Sequence, residues 1–214
     1  MIRISQKVGE ILTGDEVALE AMRAGILNLS AYASSIQPQI EESLYKNVRK
    51  GSIVTALSRL SQSSSSISPL KVPVRIEDMS IKSPLSEITY EKTIEVAKQI
   101  AALGAKFSEV GFFTSTQGIG EVTLIVSQSL KHKVLEQVKT KPKGEYDNLV
   151  AITVRFSEKD YIEVPNMIYT LVATLAGKRI NLIEIVSTFT EISFIVRQKD
   201  MKETIDVLKN NFLA

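Results

Sequence analysis

Between residues 4 and 62 the apolar positions recur at helical spacing. In ISQKVGEILTG, Ile4, Val8, Ile11 and Leu12 share one face, and Val17, Leu19, Ala21 and Met22 continue the series as far as Gly25. Asn28 and Ser30 are residue types that cap a helix start, here that of SAYASSIQ. Pro38 suits the first turn of a further helix, PQIEESLYKN, where proline lacks only an amide that would be unpaired anyway. A last helix, SIVTALSRLSQ, follows Gly51. The pattern predicts an all-helical, helix-turn-helix-like domain over residues 1–62. The next stretch, SQSSSSISP, has four consecutive serines and no apolar face, so residues 63–71 read as a linker.

Beyond the linker the period changes. RIEDMSIKSPLSEITYE is strand-like, EKTIEVAKQIAALGA is helical with Ile94, Ala97, Ile100 and Ala101 on one face, FSEVGFFTST and EVTLIVS are strands, and LKHKVLEQVK is a helix. The order then restarts: NLVAITVRF, a strand; VPNMIYTLVATLAGK, a helix; INLIEIVST and EISFIV, a hairpin; DMKETIDVLKNNF, a closing helix. Glu121, Ile125 and Val126 recur 70 positions later as Glu191, Ile195 and Val196, while Ser115 aligns with Ser187 at 72 if the first hairpin turn is two residues longer. The prediction is an α+β chain with two ferredoxin-like βαββα units, over 72–145 and 146–214.

Composition narrows the chemistry. With 26 Lys plus Arg against 24 Asp plus Glu, the net charge of +2 exerts no general pull on nucleic acid or anionic membrane, so such binding needs a local patch. The absence of cysteine excludes disulfides and thiolate chemistry, and a single histidine, His132, argues against a histidine metal site. MIRISQKVGEI has no signal-peptide core and no run is apolar enough to span a bilayer, which together predict a cytoplasmic protein with no membrane partner.

The second unit resembles the ACT domain of aspartokinase regulatory regions. The residues that carry the resemblance are EVPNMIYTLVATLAGKRINLIEIVSTFTEISFIV: Val164-Pro165 before the helix, Gly177 and Ile180-Asn181 entering the second strand, and Ser187-Thr188 with Thr190 to Ser193 across the hairpin. The first unit matches in layout only and is a degenerate ACT-like unit, since SEITYEKTIEV has no Val-Pro. Asn166 stands where the family usually has glycine, and no Lys-Phe-Gly-Gly-Thr-like stretch of the kinase half occurs. The resemblance implies a tandem ACT region that forms a homodimer and binds an amino-acid effector. Amides at the start of the Pro165 helix would face the effector carboxylate, and Asp160 or Glu163 would take its ammonium. Val164, Pro165, Asn166, Asn181 and Leu182 complete the expected site.

No catalytic constellation emerges, and no cofactor or metal is implied. His132 lies between lysines on a solvated helix face, and GFFTSTQGIGE lacks the lysine and following helix of a phosphate loop. The head offers Lys46, Arg49, Lys50, Thr55 and Arg59 before and along its last helix, a polar mix suited to reading a DNA groove. Yet it holds seven basic and six acidic residues through Leu60, so its field is weak away from that cluster. Two readings stay open: an amino-acid-sensing transcription regulator, or a regulatory subunit whose head docks on an enzyme of amino-acid metabolism.

Overall fold

The computed structural model describes residues 3–62, 69–107 and 109–213, the side chains of Asp160 and Tyr161 aside. The serine run of the expected linker and the side chain of Asp160 therefore lie outside the described residues. The chain forms two compact units, Met1–Leu70 and Lys71–Ala214.

In the first unit the opening apolar series is two helices, α1 (Ile4–Gly14) and α2 (Glu16–Arg23). Asp15 divides them: its backbone is extended and its Oδ1 accepts from Ala18 N at 3.0 Å, capping α2. Asn28 caps α3 (Leu29–Leu44) in the same way, accepting from Ala31 N at 3.0 Å. Pro38 does not open a helix. It lies inside α3, whose buried Ala33, Ile36 and Ile40 sit on both sides of it and pack the helix as one piece. Tyr45, left-handed at φ 52, ends α3, and α4 (Lys50–Gln62) follows. The core joins Val8 and Leu12 of α1, Ala18, Leu19 and Met22 of α2, and Ile53, Ala56 and Leu57 of α4 to those of α3.

The second unit runs β1 (Asp78–Glu91), α5 (Ile94–Phe107), β2 (Phe113–Gln117), β3 (Glu121–Ser127), α6 (Lys131–Gln137), β4 (Gly144–Arg155), α7 (Glu158–Glu163), α8 (Met167–Gly177), β5 (Glu184–Ser187), β6 (Glu191–Arg197) and α9 (Met201–Phe212). The strands make one antiparallel sheet in the order β2-β3-β1-β4-β6-β5. Each half supplies three strands, and the two first strands, β1 and β4, meet in the middle. Each occupies the place beside the other where a complete βαββαβ unit would put its own fourth strand.

The central ladder is two-fold symmetric. Leu85 pairs with Leu149; on one side Lys82 pairs with Ala151 and Ile81 with Ile152, and on the other Glu87 pairs with Tyr146 and Ile88 with Glu145. Position 85 thus corresponds to 149, 87 to 151 and 89 to 153. The hydroxyl pair Thr89–Thr123 (3.0 Å) recurs at the corresponding positions as Thr153–Ser193 (2.7 Å). The hairpins also match residue for residue: Gln117 faces Val122 and Ser187 faces Ile192, so the turns are equally long. The two-residue difference expected from the sequence is absent; Ser115 corresponds to Ile185, because strand pairing rather than side-chain likeness sets the equivalence.

All the long helices of this unit cover one sheet face. Ile88, Tyr90, Val122, Leu124 and Val126 pack with Val96, Ile100, Leu103 and Phe107 of α5 and Val134 of α6. Val150, Ile152, Val154, Ile192, Phe194 and Val196 pack with Leu171 and Leu175 of α8 and Val207, Leu208 and Phe212 of α9. The alternate strand residues Leu85, Ile125, Leu149, Ala151 and Ile195 point the other way and form a cluster of their own, at most 1% exposed, beneath Phe112, Ile183 and Val186.

Candidate effector site and head groove

Residues expected to hold an effector fall at the entrance to α8. The first half passes from β1 to α5 through Lys92 and Thr93, whose Oγ1 accepts from Val96 N at 3.2 Å. The second half inserts residues 156–166, with α7 and a turn. Pro165 does not begin the helix: Asn166 stands at φ 64, a conformation no helix interior contains, and α8 starts at Met167. The amides of this helix start are therefore displaced past Asn166, a correction to the sequence reading. The asparagine occupies the left-handed region that its short polar side chain tolerates best after glycine.

The turn is held firmly. Thr170 N and Oγ1 both donate to Asn166 O, at 2.9 and 3.0 Å, and Val72 N donates to Thr170 Oγ1 at 2.9 Å. Thr170 is buried, as is Met167 beside the turn. Val164 and Leu182 are half-buried against the same cluster, which brings the two expected segments onto one side of the core. Glu163, Pro165, Asn166 and Asn181 are exposed, and so are the apolar Ile162 and Ile168 that flank the turn.

In the head, the connection between α3 and α4 is fixed by Glu41. Its Oε1 accepts from Val48 N at 2.9 Å and from Gln37 Nε2 at 3.2 Å, and Gln37 Nε2 also donates to Val48 O at 2.9 Å. The Val48 amide, with Gln37 adding to it, holds the Glu41 carboxyl below its ordinary range. Lys46, Arg49 and Lys50 are exposed around this turn. Lys46, Thr55 and Arg59 line an open cavity of about 470 Å³ together with Arg3, which the sequence did not single out; Arg49 and Lys50 lie outside that lining. Thr55 Oγ1 donates inward to Gly51 O at 2.8 Å, so its hydroxyl retains only acceptor capacity toward a ligand.

A further network joins the halves. Lys131 Nζ donates to Asp147 Oδ2 at 2.8 Å and pairs with Glu145 at 3.0 Å, while Ser86 Oγ donates to Asp147 Oδ1 at 2.6 Å. The Lys131 and Ser86 hydrogen bonds lower the Asp147 carboxyl. Among the described residues no group of three His, Cys, Asp or Glu could hold a metal ion, and no helix is long and apolar enough to cross a membrane.

No family model and no curated protein matches the sequence. Solved structures do match its fold. The aspartate kinase of Clostridium acetobutylicum, an allosteric enzyme, superposes with a TM-score of 0.56 at 14% identity, over 66% of this chain and 36% of that one. The regulatory subunit of aspartate kinase from Thermus thermophilus gives 0.54 at 10% identity, over 64% of this chain and 98% of that one. Aspartokinase III of E. coli, solved with lysine and aspartate, gives 0.50 at 12% identity, over 74% and 42%. This chain therefore spans about a third of the Clostridium enzyme and nearly all of the Thermus subunit, and about two thirds of it has the fold of an aspartate kinase regulatory region.

Proposed function

We propose that the protein is a non-catalytic, amino-acid-sensing regulator: the doubled sheet binds a small amino acid, and the helical head passes the state of that region to an enzyme of amino-acid metabolism. The observation that carries the reading is that 64% of this chain matches nearly the whole of a regulatory subunit of aspartate kinase. The effector would sit beside Glu163, Val164, Pro165, Asn166, Asn181 and Leu182, with Asp160 as a second acceptor for the ammonium. Exposed Ile162 and Ile168 next to this turn are the surface a second copy would cover, giving a homodimer through the sheet region. A ligand between two copies acts on their arrangement through the different contacts it makes in each state.

Calorimetric titration with the twenty amino acids tests the reading, beginning with lysine, since E. coli aspartokinase III was solved with it. At about 100 times its dissociation constant the effector should stabilise the fold by ~2.7 kcal/mol. Flat titrations throughout would reject amino-acid sensing. Light scattering should give twice the chain mass.

A second reading of the head keeps DNA as partner, favoured by the gathering of Arg3, Lys46 and Arg59 around one cavity. In that case Arg59→Ala and Lys50→Ala weaken binding to upstream DNA, and affinity falls steeply with salt. Co-purification with an enzyme and no salt-sensitive mobility shift would decide for docking.

A further inference from the structure

The sheet face opposite the described helices of this unit is closed by its own edges. Thr116 of β2 donates to Glu184 Oε1 of β5 at 2.7 Å, although β2 and β5 are the two outermost strands. With strands about 4.8 Å apart, five spacings would separate those edges by roughly 24 Å in a flat sheet, beyond the reach of both side chains. The sheet is therefore curled until its edges meet, and Leu85, Ile125, Leu149, Ala151 and Ile195 are buried on the face opposite the described helices of this unit.

Inside the curl lies Glu87, 8% exposed, with Oε2 buried and without a hydrogen-bond partner. Its two-fold counterpart is Ala151 and that of Glu184 is Thr114. The other half builds the same strand positions without either carboxylate, so the fold does not need them there. An unpaired carboxylate in an apolar cluster is costly when ionised.

We propose that the curled sheet is a proton-operated latch: while Glu87 is neutral the edges stay joined through Thr116 and Glu184, and when Glu87 ionises its repulsion with Glu184 parts β2 from β5. Burial, and secondarily the charge of Glu184, raise the Glu87 carboxyl to about 7, which sets the range in which the latch works. The other charged groups at positions of this face are peripheral to the pair. Asp78 lies 3.8 Å from Arg155, and Lys143 pairs with Glu121. By register Lys82, Glu91, Glu191 and Arg197 lie on the same face, Tyr146 is directly opposite Glu87, and β2 contributes only Thr114 and Thr116. Parting the edges uncovers the floor formed by Leu85, Ile125, Leu149 and Ile195, an apolar surface absent from the closed form.

The chain has no cysteine, so spin labels at Ser115→Cys on β2 and Ile185→Cys on β5, both exposed, report the distance between the edges. Pulsed electron resonance should give one short distance at pH 5.5 and a longer population at pH 8.5, with a midpoint near the Glu87 value. Glu87→Gln should stay short at both pH values, and so should Glu184→Gln, whose amide oxygen still accepts from Thr116 but carries no charge for an ionised Glu87 to repel. A distance independent of pH, or a transition that survives Glu87→Gln, overturns the latch. If the labelled pair fails to fold, Phe112→Trp, in a chain that otherwise has no tryptophan, reads exposure of the same cluster by its emission and must show the same dependence on Glu87.

Discussion

Leu85 of β1 faces Leu149 of β4, its own counterpart in the other half, and both are fully buried at the centre of the two-fold ladder. Truncating either empties the same space. Leu85→Ala and Leu149→Ala should each lower unfolding free energy by about 2–5 kcal/mol in denaturant titration. The double variant should fall short of the sum by at least ~0.5 kcal/mol, since the two side chains share one site. Strict additivity would mean that they do not pack on each other.

Glu87 makes stability depend on pH in a direction opposite to that of a paired carboxylate. Its folded value, about 7, lies above the ordinary 4.5, so the unfolded chain releases this proton first as pH rises. Stability is unaffected by Glu87 below 4.5, falls between 4.5 and about 7, and is constant above, with a total loss on the order of 3 kcal/mol at 1.36 kcal/mol per unit. Glu87→Gln should therefore stabilise the protein at pH 8 and leave it nearly unchanged at pH 4.5, as thermal melts at the two pH values would measure.

Asp147 behaves conversely. Its carboxyl is held below 3.8 by Lys131 and Ser86, so its contribution is fully present above 3.8 and is lost as pH falls through the lower folded value. Asp147→Asn should destabilise the protein at neutral pH and flatten the acid limb of its stability profile below pH 3.8. An acid limb identical to that of the unsubstituted protein would show the network to be energetically idle.

At Asn166 the left-handed backbone decides the outcome of substitution. Asn166→Gly should stay within about 0.5 kcal/mol of the parent, whereas Asn166→Ala should lose ~1–2 kcal/mol. Both keep the amide, so an effector beside the turn should bind Asn166→Gly nearly as well as the parent. Loss of binding in Asn166→Gly with the fold intact would assign the side chain, rather than the turn, to the site.

Alternating apolar positions in EVTLIV and EISFIV, and helical spacing in EKTIEVAKQIAALGA, determined by themselves the strands and helices of the sheet unit and their repeated order, because each element's period is a local property of the chain. Asn28 announced its helix for the same reason. Other features depended on groups distant in sequence. Ser115 looked like the mate of Ser187 until strand pairing matched it with Ile185. Pro38 looked like a helix start, but packing of Ala33, Ile36 and Ile40 carries α3 through it. Val164-Pro165 marked the turn before α8, while the left-handed Asn166 fixed where the helix begins. Glu87 reads as an ordinary outward position of an alternating strand; only the curl that brings Thr116 to Glu184 buries it, because sheet curvature is set by all six strands together and by no single one of them.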